Sequence, residues 1–198
     1  MSISAQEVKE LRDRSGVGMM DCKKALIEAN GDLDKAFEVL RKNGIAKAQK
    51  KAGRDAKEGS VISYIHPGAK LGVLLELNCE TDFVANTDDF KDLANDICMH
   101  IAATAPISIK SEDVDSEVIE KEKEIYTDQA KKSGKPDEII EKMVEGRVKK
   151  FLKENVLLEQ NFVKDPSKTI TDLITDKVSV LGENIVINSF SRFQIGEK

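Results

Sequence analysis

At 198 residues with 40% hydrophobic content, the chain is long enough to bury a substantial core together with a smaller companion unit. Charged residues make up 34%, aromatics only 5% and tryptophan is absent, which describes a soluble, helix-rich surface rather than an aromatic-lined ligand cavity. The net charge of −5 argues against nucleic acid as the main partner, so any such role must rest on a local basic patch.

The N-terminal run MSISAQEVKELRDRSG has no apolar signal core, and no apolar run approaches the ~18 residues that span a bilayer. A cytoplasmic location with no membrane segment is expected. SAQE at 4–7 has capping-box spacing: Ser4 can accept from the backbone N–H of Glu7 while Glu7 reaches back to Ser4. A first helix therefore starts near residue 5, carries Val8 and Leu11 on one face, and breaks at SGVG. A second is predicted from about Met20 to Asn30, with Ala25, Leu26 and Ala29 as its apolar stripe and Gly31 as the stop. Asp32 caps a third, whose Leu33, Ala36, Phe37 and Leu40 recur at helical spacing, and Gly44 is expected to end it. Residues 1–45 thus read as a small three-helix module for docking. Residues 46–59 follow as a basic linker, helical or mobile, with Lys47, Lys50, Lys51, Arg54 and Lys57 against Asp55 and Glu58.

From residue 60 to 198 the pattern predicts an α+β core. VISYI and LGVLLELNC are β-rich runs separated by HPGAK, where Pro67 and Gly68 favour a hairpin. TDDFKDLANDICMHIAATA is helical, with Thr87 as cap and Phe90, Leu93, Ala94, Ile97 and Ile101 inward. A helical hairpin is predicted over about 112–154: one exposed helix to Lys132, a turn at GKP 134–136, and a second from about Asp137 to Glu154. The second has Ile140, Val144, Val148, Phe151 and Leu152 near one side. A further helix around Thr171 to Leu181 precedes a last strand in ENIVINSFSRFQIG, where imperfect alternation suggests a bulge.

The chain carries no GxxxxGK[ST] loop, no GxGxxG, no HExxH, no EF-hand and no GxSxG elbow. His66 and His100 are its only histidines, which excludes a histidine-rich metal site. Cys22, Cys79 and Cys98 form no CxxC motif and no paired framework, which fits a reducing compartment. Cys98 and His100, two residues apart on a helix, face different ways and read as structural. No cofactor, no metal and no enzymatic activity are expected. Asp88 and Asp89 suit the first turn of a helix. That leaves Glu80, Thr81, Asp82, Phe83 and Val84 unexplained, with Phe83 open to two readings, a plug in the core or an exposed ring.

GVGMMDCKKAL at 16–26, NCETDFVA at 78–85, MHIAA at 99–103, EKMVEGRVKKF at 141–151 and FVKDPSKT at 162–169 occur in the order used by one family. Over nearly its whole length the chain resembles bacterial elongation factor Ts. That resemblance implies a ubiquitin-associated-like three-helix module, and a guanine nucleotide exchange factor that binds elongation factor Tu in its GDP-bound and nucleotide-free states. It implies that Thr81, Asp82, Phe83 and Val84 displace magnesium from the partner's GDP site. Arg12, Met19 and Met20 match family positions that touch the partner's GTPase domain, and His66 matches a contact of the core. The plainer readings are solvated charge for Arg12, helix packing for the methionines and a turn residue for His66. Two adjacent methionines, however, cannot share one helix face. Longer family members carry a second copy of the core between the TDFV and MHIAA segments. Here one helix joins them, so the chain resembles the short form with a single core subdomain. The missing surface would then come from a second subunit, as a homodimer through the C-terminal sheet region in a two-to-two assembly. No direct nucleic-acid contact is expected. The alternatives are a ubiquitin-associated-type adaptor, which leaves the TDFV core without a purpose, and a weak RNA-binding module resting on residues 46–57, which lack interleaved aromatics.

Overall fold

The computed structural model describes residues 3–132, 134 and 136–197. They form two compact units. The first comprises the chain up to Ile62 with Leu75–Asp96 and Asp172–Phe190; the second comprises Ser63–Leu74, Ile97–Thr171 and Ser191 onward.

In the first unit, helix α1 (Ala5–Ser15) begins at the expected capping box and ends at Gly16, whose N–H reaches the Arg12 carbonyl. Helices α2 (Met19–Glu28) and α3 (Leu33–Lys51) follow, the latter capped by the Asp32 carboxylate on the N–H groups of Asp34 and Lys35. Val8, Leu11, Cys22, Ala25, Leu26, Ala36 and Leu40 close a shared core. The expected helix end at Gly44 is not found, because α3 continues for nearly two more turns. Gly44 is buried there, and a Cβ at that position would lie 2.9 Å from Ser179 Oγ. The glycine permits close packing, and no turn forms. Residues 46–51 of the expected linker are therefore helical, and its last two, 58 and 59, already belong to a strand.

Strands β1 (Glu58–Ile65) and β2 (Leu71–Cys79) make the expected hairpin. Its turn is closed by the Ala69 N–H donating to His66 O, with Pro67 second and Gly68 third at φ 92°, an angle that glycine adopts without steric cost. β2 alternates strictly, with Val73, Leu75, Leu77 and Cys79 buried. The third strand, β5 (Val186–Gln194), lies beside β2 in the order β1-β2-β5. Its adjacent Asn188 and Ser189 both donate to the same Glu76 oxygen at 2.8 Å. Alternation then resumes with opposite parity: Ile187 is buried before this point, Arg192 is partly covered after it, and Phe193 is exposed.

A single helical turn, α4 (Asp82–Ala85), separates β2 from α5 (Asp88–Thr104). The expected inward stripe of α5 is fully buried, and Thr87 Oγ1 accepts the Phe90 N–H at its start. In the second unit, α6 (Ser116–Lys131) packs on α7 (Asp137–Asn155) as the predicted helical hairpin. The turn expected at 134–136 includes Lys135, which lies outside the described residues. Ile140 is buried, whereas Val144, Val148, Phe151 and Leu152 are half-buried. A short antiparallel pair, β3 (Asn161–Phe162) with β4 (Asp165–Thr169), was not anticipated. Helix α8 (Ile170–Leu181) then leads to β5. All three cysteines are buried, and none is joined in a disulfide.

His100 is fully enclosed in the second unit. Its Nδ1 accepts the Val163 N–H at 3.3 Å, so the ring proton sits on Nε2 and donates to Gln160 Oε1 at 2.9 Å. Burial pushes its pKa down, partly offset by the Gln160 bond.

Candidate functional site

β2 delivers the chain to Cys79, whose buried Sγ donates to Thr81 O at 3.1 Å. Burial pushes the Cys79 thiol pKa up, and the nearby Glu183 carboxylate adds to it. Thr81 is the N-cap of α4, with extended φ and ψ, and its Oγ1 accepts the Val84 N–H at 3.4 Å. Asn86 Nδ2 donates to Asp82 O at 2.9 Å, and Thr87 Oγ1 donates to Val84 O at 2.7 Å. Of the five residues that periodicity left unexplained, Thr81 caps one helical turn that Asp82, Phe83 and Val84 begin, and Glu80 leads into it.

Two acids secure that turn from outside it. Glu183 Oε2 accepts the backbone N–H groups of Glu80 and Thr81 at 3.1 and 3.0 Å, and its Oε1 accepts the Thr81 hydroxyl at 2.7 Å. In return, Glu80 Oε1 accepts the Asn184 N–H at 2.7 Å. That amide holds the Glu80 carboxyl below the usual carboxylate range, with the Arg54 guanidinium adding to the effect. Asn184 Nδ2 donates to Arg54 O at 2.8 Å. Burying these carboxylate bonds next to backbone amides is favourable because every donor meets a charged acceptor.

The turn presents Phe83 outward, 82% exposed, with Asp82 exposed beside it. Val84 and Thr81 are half-buried and Ala85 is buried, so the turn is anchored on one side only. A bare aromatic ring on a rigid support is the form expected of a contact anchor.

On the three-helix module, Met19 and Met20 open α2 at 50% and 66% exposure. Arg12 is exposed in the last turn of α1. The C-terminal end of α8 meets both regions of this unit. Val180 packs against Gly16, between Arg12 and Met19 in sequence, and Ser179 sits in the notch at Gly44. Lys51 Nζ donates to the Gly182 carbonyl, and the next two residues are the Glu183 and Asn184 that secure Thr81. His66 belongs to the second unit, exposed at the β1–β2 turn, with Tyr64 Oη 2.9 Å from its Nδ1. Nothing near Glu183 or Asn184 in sequence signals their part, since their partners lie about a hundred positions away.

Among the described residues no cluster of three or more His, Cys, Asp or Glu could hold a metal ion, and no helix is long and apolar enough to cross a membrane. The family described as Elongation factor TS matches residues 32–197. An elongation factor Ts of Fervidobacterium nodosum is 61% identical over 197 residues, covering 100% of each chain. One from Caldanaerobacter subterraneus is 60% identical over 195 residues and 98% of each chain. A third, from a Thermoanaerobacter species, is 59% identical over 98% of this chain and 96% of its own.

Proposed function

The chain belongs to the elongation factor Ts family, and from that premise we propose that it is a guanine nucleotide exchange factor for elongation factor Tu in translation elongation. It forms and breaks no covalent bond. As a ligand that prefers the nucleotide-free partner over the GDP-loaded one, it weakens GDP by the same factor by which GDP weakens it. The partner's magnesium needs near-ideal octahedral oxygen geometry, so a small displacement of the elements around it costs much of its affinity. Phe83 wedges into an apolar slot between those elements, while Asp82 disturbs the polar groups around the metal, and neither ligates it. Thr81 and Val84 shape the turn. Arg12, Met19 and Met20 seat the three-helix module on the partner's GTPase domain, where flexible thioethers suit an adaptable contact, and His66 adds a contact from the core. In this division residues 1–45 dock, 46–59 connect, and 60–198 act on the nucleotide site. The factor works in the cytoplasm without direct contact to nucleic acid.

The observation that carries this reading is the exposed Phe83 on a turn whose backbone is tied down at Glu80 and Thr81. Release of a fluorescent GDP analogue from elongation factor Tu, followed with and without this chain, tests it. No acceleration at saturating factor would sink it.

The factor acts as a homodimer, two copies with two of the partner. Supporting this is a groove of about 740 Å³ in the second unit, bordered by Ile65, Leu74, Phe193 and Ile195, all large apolar residues left exposed. Light scattering at micromolar concentration reads the mass, and a monomer with full exchange activity would overturn the assembly.

A further inference from the structure

The Glu183 carboxylate reaches across to the residues that open the TDFV turn. Three donors converge on it: two consecutive backbone amides and one hydroxyl. The hydroxyl bond matters most for the turn. Thr81 Oγ1 has a single proton, and giving it to Glu183 leaves only lone pairs to face Val84 N–H. Glu183 therefore sets the rotor of the residue that caps α4, as well as the path of the backbone entering it.

The position of Glu183 is fixed in turn by how α8 ends. Gly182 lies at φ 78°, a left-handed angle, with its N–H on the Val178 carbonyl, and Lys51 of α3 holds the Gly182 carbonyl. The following residue, Asn184, is buried and donates its backbone N–H to Glu80 while its side chain holds Arg54 O. The pairs 80–81 and 183–184 thus grip each other reciprocally, each acid taking main-chain N–H groups from the other pair.

We propose that Glu183 is a positioning residue for nucleotide exchange: its carboxylate holds the Glu80–Thr81 backbone and the Thr81 hydroxyl so that Phe83 is presented in one fixed direction. This rests on the exchange function proposed above. A ring on a loosened turn would still meet the partner, but it would no longer be aligned to strain the metal site. The maximal stimulated rate should suffer more than the concentration of factor needed to reach half of it, since the surface around Met19 and Met20 is untouched.

The test compares wild type, Glu183→Ala and Glu183→Gln in stimulated release of the GDP analogue over a range of factor concentrations. Amide hydrogen exchange of the free proteins is measured alongside. Glu183→Ala is expected to lower the maximal rate by roughly tenfold or more, as small misplacements of a positioned group do. The half-saturating concentration should change little. Its amides at Glu80, Thr81 and Val84 should exchange ~10-fold faster or more, with those of α5 unchanged. Glu183→Gln keeps one acceptor oxygen for the two backbone amides but loses the one that takes the Thr81 proton, so it should recover part of both readouts. Wild-type maximal rate and protection in Glu183→Ala would overturn the proposal, as would a glutamine variant no better than the alanine one. If wild type itself fails to accelerate GDP release from elongation factor Tu while Glu183→Ala still loses protection, the exchange function fails and the positioning of the turn stands.

Discussion

Replacing Phe83 with alanine separates the two roles open to the ring. A fully buried phenylalanine removes ~150–250 Å² from water. At 82% exposure the folded chain covers about a fifth of that, ~40 Å², which at ~25 cal/mol per Å² is worth about 1 kcal/mol. For a chain of this size that corresponds to a fall in Tm of ~2–4 °C. The uncovered four fifths of the ring is available to a partner, and truncating such an anchor typically costs at least ~2 kcal/mol. Two kcal/mol is about 30-fold in rate. Stimulated GDP release should therefore fall by that order in Phe83→Ala while the thermal midpoint drops by only those ~2–4 °C. Fluorescent GDP release and differential scanning fluorimetry on the same samples read both quantities. A Tm drop near 10 °C with wild-type release per folded molecule would show that the ring serves the core, and the wedge argument would be refuted.

Acid should weaken the fold through His100. Its folded pKa lies below its unfolded value of ~6.5, so the unfolded chain takes up the proton first. Stability is then complete above pH ~6.5 and declines as pH falls toward the folded pKa, by at most about 1.4 kcal/mol per pH unit. Urea melts at pH 7.5 and 5.5 should differ, and equal midpoints would contradict the buried neutral ring. Gly44→Ala places a Cβ 2.9 Å from Ser179 Oγ and 3.2 Å from its Cβ, so overpacking of ~1–2 kcal/mol should outweigh the helix propensity gained. Adding Ser179→Ala should recover part of that loss, and a stabilised Gly44→Ala single variant would refute the notch. Phe193→Glu puts charge into the exposed apolar groove, and light scattering should then read half the mass of the wild type with unchanged helix content. An unchanged dimer would place the contact elsewhere.

Much of the fold was legible because local chemistry agreed with the tertiary outcome. The Ser4–Glu7 box, the Asp32 cap and the inward stripe of α5 need only neighbours three or four positions away, and all form. Broken alternation in the last strand accompanies two adjacent exposed residues, Asn188 and Ser189, that share one Glu76 oxygen. Gly44 failed as a stop signal because a glycine at a helix end and a glycine under a crossing helix look alike in one dimension; only Ser179, far along the chain, distinguishes them. α4 is a single turn and the β3 strand has two residues, both too short for any period to register. At the candidate site the exposure of Phe83 could not be read from pattern, since it follows from how Thr81 is held. The residues that hold it, Glu183 and Asn184, are drawn in from the far end of α8.

The burial of all three thiols has a practical side. Cys22, Cys79 and Cys98 are closed to solvent, so a maleimide cannot reach them in the folded chain, and burial also pushes the Cys98 thiol up to about 12. A single cysteine introduced at an exposed position such as Asp82 would be the one accessible handle on an otherwise native sequence. Dyes or spin labels can then be placed beside Phe83 with the native cysteines left in place, and labelling beyond one equivalent becomes a direct chemical count of how often the core opens.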